Sequence, residues 1–188
     1  MSSDASHTPA ALARLVLSDR ARDVVDDALR LVPTLDDGQR PPGDLLLEAL
    51  QVRAQVDKLV TAAVLNARER GADWSDIALL VGIRTRSVTE RWLPDEQRWH
   101  AGLAQPLRQE PGEELPQLAV AQAAYAPEVY ARDLDAWASR HVDEIEYGRW
   151  RQLGKDPRRP VSGGLEPGSL GTGGADEPKE PPGAGEDG

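Results

Sequence analysis

The side chains able to do covalent or metal chemistry are few and badly spaced for it. The 188-residue chain has no cysteine, which removes thiolate nucleophiles, disulfides and Cys-based zinc sites. Its three histidines, His7, His100 and His141, lie far apart. His141 and Glu144 stand three apart on an expected helix, but one imidazole and one carboxylate do not close a metal site. Ser139 lies near His141 without a third partner or a strained elbow, so no triad is read there. The glycine-rich "GSLGTGG" near the C-terminus lacks a GK[ST] ending and a preceding strand, and reads as linker rather than phosphate loop. Acidic groups such as Asp133/Asp135 and Asp143/Glu144/Glu146 read as solvated faces. The expectation is a protein that is not an enzyme and uses no cofactor and no metal.

Composition points the same way. There are 22 basic and 32 acidic residues, a net charge of −10, and 19 of the basic residues are arginine. Such a chain does not coat nucleic acid through bulk charge. The distribution is uneven, however. From Asn66 to Leu93, Arg68, Arg70, Arg84, Arg86 and Arg91 face Glu69, Asp73, Asp76 and Glu90, for a local +1, whereas every other stretch is acidic. The N-terminus has no basic start followed by an apolar core, and no apolar run approaches the ~20 residues of a membrane span. A soluble, cytoplasmic protein with no membrane partner is expected.

The elements that would position any site are all helical. Residues 1–8 are polar and read as disordered. From Pro9 to about Leu31 apolar residues recur with a helical period, with Thr8 as N-cap and Pro9 at the first position. Pro, Gly and Asp make 33–44 a loop. Asp44 is then expected to cap a longer helix to about Arg70, and Leu45, Ala49, Val52, Val56, Leu59 and Ala63 repeat on it at 4-3-4-3-4 spacing. That is the seam of a packed helix pair. Gly71 ends this helix, Asp73 caps the next (about 74–80), Gly82 turns the chain, and a fourth helix runs over 85–93 until Pro94 stops it. A brief helix near 95–103, a linker over 104–116 and a helical segment over 117–150, with its main helix at 127–149, follow. Trp74, Trp92 and Trp137 read as core residues, while Trp99 and Trp150 read as exposed partner contacts. The Gly/Pro/acid-rich stretch 154–188 is expected to be a disordered tail. The fold class is therefore all-α: a helical hairpin leading into two short helices within a domain over 9–103, then a C-terminal helix and tail.

The stretch 74–93 carries the sharpest pattern. Counting Trp74 as first, the fifth position is Ala78, small enough for two helices to approach closely. The ninth is Gly82, which permits a positive φ in the turn. The fourth, eighth, tenth and fifteenth are Ile77, Val81, Ile83 and Val88, all apolar and expected on the inner face where the helices cross. The combination "ARERGADWSDIALLVGI…RW" resembles the helix-turn-helix units of bacterial regulators, including the sigma-factor region-4-like and homeodomain-like kinds, and is similar to a group of small actinobacterial helix-turn-helix proteins. The resemblance covers about 45–92, a quarter of the chain.

The resemblance implies that the fourth helix enters the major groove of double-stranded DNA. Carried over by position, Arg84, Thr85, Arg86, Thr89 and Glu90 would face DNA, with Arg86 suited to guanine O6 and N7. Arg91 and Arg68 would be backbone clamps. The chain departs from the pattern in two places. Arg84 stands where a Ser or Thr cap is usual, and Arg91 stands where an apolar residue is usual. The expected function is sequence-specific DNA binding in transcription regulation, nucleoid-associated. A homodimer over the 44–70 seam or the 127–149 helix would present two half-sites. The alternative is a protein-interaction module that uses the same fold without DNA readout. One exposed patch of Arg68, Arg84, Arg86 and Arg91 would favour DNA; acidic side chains interrupting it would favour a protein partner.

Overall fold

The computed structural model describes residues 7–35, 37–104 and 121–165. Among them the fold is all-α, with seven helices and no strand: α1 (Pro9–Leu29), α2 (Asp44–Glu69), α3 (Trp74–Val81), α4 (Thr85–Leu103), α5 (Gln122–Tyr125), α6 (Pro127–His141) and α7 (Glu144–Gln152). No described helix is long and apolar enough to cross a membrane.

Local chemistry explains where the first helices begin and end. The Thr8 hydroxyl accepts from the Ala11 amide at 3.2 Å, and Pro9 sits at the first helical position, where its missing N–H is no loss. α2 starts differently from the expectation: Gly43, at φ 105°, is its N-cap, and Asp44 lies in the first turn, where its charge still suits the helix dipole. α1 and α2 then pack along each other as a hairpin.

Two apolar cores form. The larger joins Ala11, Ala13, Leu15 and Val16 of α1 to Ala62 of α2, Trp99 of α4, Ala123 and Ala124 of α5, Ala131 and Leu134 of α6, and Leu165. The smaller joins Val64 of α2, Ile77 and Ala78 of α3, and Val88 and Trp92 of α4, with Trp74 packed beside it.

Helix α4 belongs to both cores, which corrects the expectation that Pro94 stops it. The helix runs through Pro94 to Leu103. Trp92 and Trp99 are seven residues apart, two turns, so both indoles leave the same side of the helix. Trp92 fills the small core and Trp99 the large one. Trp99, expected to be exposed, is buried, and its Nε1–H donates to Glu69 Oε1 at 2.8 Å. Burying a Trp side chain with its N–H satisfied outweighs the ~3 kcal/mol that an interior proline costs.

The expected 127–149 helix is broken. Val142 is extended at φ −97°, ψ 132°, and Asp143 caps α7 anew by accepting from the Glu146 amide at 2.9 Å. α6 docks on α1, with Trp137 Nε1–H donating to Asp26 Oδ1 at 2.9 Å. Residues 154–165, expected within the tail, fold back onto α6. Asp135 Oδ1 accepts from the Val161 and Ser162 amides at 2.7 and 3.2 Å, and Leu165 is buried in the large core. Residues 1–6 and 166–188, the expected tail beyond Leu165, and 105–120, which hold the expected linker and the start of the 117–150 segment, lie outside the described residues.

Candidate nucleic-acid interface

The unit α3–turn–α4 is held at each end by backbone chemistry. α2 closes on Gly71, whose φ of 93° is open to glycine and costly for other residues, and the Ala72 amide turns back to the Ala67 carbonyl at 3.0 Å. Asp73 then starts α3 with a reciprocal capping box. Its carboxylate accepts from the Ser75 and Asp76 amides, and Asp76 accepts from the Asp73 amide at 2.9 Å. These bonds, led by the Ser75 hydroxyl, hold the Asp73 carboxyl below its ordinary value, so it stays charged at the positive end of α3. Gly82 makes the turn at φ 74°, and its amide and that of Ile83 both bond the Ala78 carbonyl.

Helix α4 is anchored from below. Val88 is fully buried and Trp92 nearly so, while Ile77 and Ala78 meet them from α3. This fixes which side of α4 faces out. Arg84, Thr85, Arg86, Ser87, Glu90 and Arg91 are exposed, and Thr89 is half-buried with its hydroxyl donating to the Thr85 carbonyl. Val81 and Ile83 do not join the inner face as expected; they sit 44 % and 41 % exposed at its rim.

The start of α4 is open. Arg84 occupies the N-cap in extended geometry with no side-chain cap bond, and the first turn holds no acidic residue. The first amides of α4 therefore point outward from the positive end of a 19-residue helix. Ser75, Leu79, Gly82, Ile83, Arg84, Thr85 and Ser87 line an open groove in front of them. Ser87 was not singled out from the sequence. Its place in the first turn of α4, one residue before buried Val88, is the signal that finds it.

The arginines separate by environment. Arg84 has no acidic partner among the described residues. Arg86 pairs with Glu90 at 2.7 Å one turn along α4. Arg91 lies 3.8 Å from Asp57 of α2 and stacks 4.7 Å over the Trp92 ring. Arg68 is used internally: it donates to Glu96 and to the Ala72 carbonyl, both at 2.7 Å, and lies over the Trp74 ring. So Arg84, Arg86 and Arg91 are all exposed, but Arg86 and Arg91 leave α4 about 140° apart, each beside an acidic residue, Glu90 and Asp57, and Arg68 stands apart. Surface ion pairs of this kind are worth at most about 1 kcal/mol, too little to lock Arg86 or Arg91 away from a phosphate.

No group of three or more His, Asp or Glu among the described residues is placed to hold a metal ion. No protein-family model, curated protein or solved structure matches the chain.

Proposed function

We propose that the chain is a sequence-specific DNA-binding protein acting in transcription regulation, cytoplasmic and nucleoid-associated, which inserts α4 into the major groove. One observation carries the reading: α4 is anchored by Val88 and Trp92, and its uncapped N-terminus leaves Arg84, Thr85, Arg86 and Ser87 all exposed at one end of the helix. Backbone amides and Arg84 suit phosphate, and Arg86, released from Glu90, suits a guanine edge. The local balance of +1 inside an acidic chain makes binding depend on this one helix rather than on bulk charge.

The test is selection of binding sites from random duplex DNA at moderate salt, with the Arg84→Ala/Arg86→Ala variant alongside. An enriched motif that the variant loses establishes readout by α4. No enrichment at low salt overturns it.

A second reading has its own observation. Leu79 and Leu80 of α3 are each 84 % exposed beside Ile83 and Val81, and Glu90 and Asp57 interrupt the arginines. An apolar patch next to a broken basic one suits a protein partner, and its binding would resist salt, whereas phosphate contacts fall steeply with ionic strength.

A further inference from the structure

We propose that the cavity enclosed by α1, α2 and α4 binds a small organic monoanion, an aromatic ring carrying one carboxylate. The proposal stands whether or not α4 reads DNA.

The cavity is built from one stripe of each helix. α1 contributes Val16 and Arg20. α2 contributes Lys58, Thr61, Ala62 and Leu65, and α4 contributes Asp95, Arg98 and Trp99. Residues three, four and seven apart share a helix face, so three faces converge on one space. The space stays open because the α2 stripe is short in its middle, at Thr61 and Ala62. Its volume is about 360 Å³, at the small end of the ~300–1,000 Å³ usual for small-molecule sites. One ring system with a short substituent suits that volume.

The floor is apolar. Val16, Ala62 and Trp99 are buried there, and Leu65 is half-buried. The Trp99 Nε1–H is already given to Glu69 at 2.8 Å, so Trp99 offers the cavity apolar ring surface. The Thr61 hydroxyl is likewise spent, donating to the Asp57 carbonyl at 3.1 Å. A ring packed on this floor displaces water without breaking any of these bonds.

The rim sets the ligand's charge. It holds three cations, Arg20, Lys58 and Arg98, and two carboxylates, Asp57 and Asp95. Arg20 is paired with Asp23 at 3.0 Å, Arg98 with Asp95, and Asp57 lies 3.8 Å from Arg91. Each carboxylate at the rim therefore has an arginine. Lys58, exposed at the mouth, has no acidic partner among the described residues. One unmatched ammonium beside an apolar floor is complementary to one negative charge on an apolar body. A cationic ligand would meet no free carboxylate, and a polyphosphate would need more free cations than Lys58 alone. A rigid ring also loses little conformational entropy on binding.

The experiment dialyses the full chain to equilibrium against 1-naphthoate and, in parallel, against 1-naphthamide, which has the same shape without the charge. The free probe is read by absorbance on the protein-free side. Naphthoate is expected to bind a single site with a Kd of about 100 µM, and naphthamide roughly fivefold more weakly, the upper range for an ion pair open to solvent. Lys58→Gln is expected to bring naphthoate down to the naphthamide level and to leave naphthamide unchanged. Thr61→Phe, with its circular dichroism matching the parent, is expected to fill the cavity and lose both probes. If Thr61→Phe does not fold, Lys58→Gln decides alone, because an exposed lysine is replaced there at little cost to stability. Four results overturn the proposal: no naphthoate bound by the parent up to about 1 mM, equal binding of the two probes, naphthoate binding unaltered by Lys58→Gln, or binding retained in folded Thr61→Phe.

Discussion

The Arg68 guanidinium donates from Nε to Glu96 Oε1 at 2.7 Å, joining the last turn of α2 to the middle of α4. Its Nη1 donates to the Ala72 carbonyl, so the same side chain also fixes the turn into α3. With Trp99 bonded to Glu69 one residue later, the end of α2 holds α4 at two points. The angle at which α4 presents Arg84 and Arg86 is set by these contacts.

Arg68→Ala is therefore expected to destabilise the protein by about 2 kcal/mol, the range for losing hydrogen bonds to charged groups in a half-buried setting. Urea denaturation reads this directly. If the chain binds DNA as proposed, the slope of affinity against salt should stay as in the parent, because Arg68 is bonded to Glu96 and the Ala72 carbonyl. A slope reduced by about one unit would assign Arg68 to a phosphate after all.

Gly82 turns the chain at φ 74°, and a Cβ placed there would meet nothing within 4 Å. The cost of a side chain is then purely conformational. Gly82→Ala is expected to lose about 1–2 kcal/mol, and Gly82→Asn less, because Asn tolerates the left-handed region. Equal losses in urea for the two variants would show that space, and not φ, decides this position.

Asp19 stands in α1 beside the large core, and burial raises its carboxyl above the ordinary 3.8. The Arg22 guanidinium, 2.5 Å away, pulls the other way without cancelling the shift. A carboxyl raised in the folded state carries no penalty at pH values where both states are protonated. The penalty appears as pH climbs from 3.8 through the raised value and persists above it. Asp19→Asn should thus unfold at higher temperature than the parent at neutral pH, with the gap closing in acid. A gap independent of pH, or a less stable variant at neutral pH, would show that the Arg22 pair outweighs burial.

The α3–turn–α4 unit was legible because its constraints are local: a cap three residues from its acid, a glycine at a positive φ, and Ile77, Ala78 and Val88 at fixed spacing. Pro94 misled for the opposite reason. The force that carries α4 past it is Trp99 packing on α1 and α5, a contact spanning many residues that no window of sequence displays. Leu165 entering the large core is the same kind of event. The glycine-rich composition around it argued for a tail, but one leucine and the Asp135 carboxylate sufficed to fasten it. The 4-3-4-3-4 spacing on α2 was legible, yet it did not say which positions meet a neighbour: Val52 and Leu59 are half-buried, while Leu45, Ala49, Val56 and Ala63 stay exposed. Val81 and Ile83 matched the inner-face pattern, but Val81 is the last residue of α3 and Ile83 lies beyond it in the turn, so both sit at the rim.

Leu79 and Leu80 separate the two functional readings, because they adjoin Arg84 without belonging to the same chemistry. Both side chains are almost fully exposed, so Leu79→Gln/Leu80→Gln should change stability by no more than about 0.5 kcal/mol. If α4 reads DNA, this variant selects the same motif as the parent with similar affinity, while Arg84→Ala/Arg86→Ala loses it. If α3 is a protein-docking face, the two variants exchange roles: the glutamines abolish a salt-resistant interaction and the alanines leave it intact. Measuring both variants against DNA across a salt series makes the comparison internal. Loss of DNA binding in the glutamine variant, with its fold intact, would contradict the assignment of DNA contact to α4 alone. It would place the apolar edge of α3 in the interface, where such side chains meet thymine methyl groups.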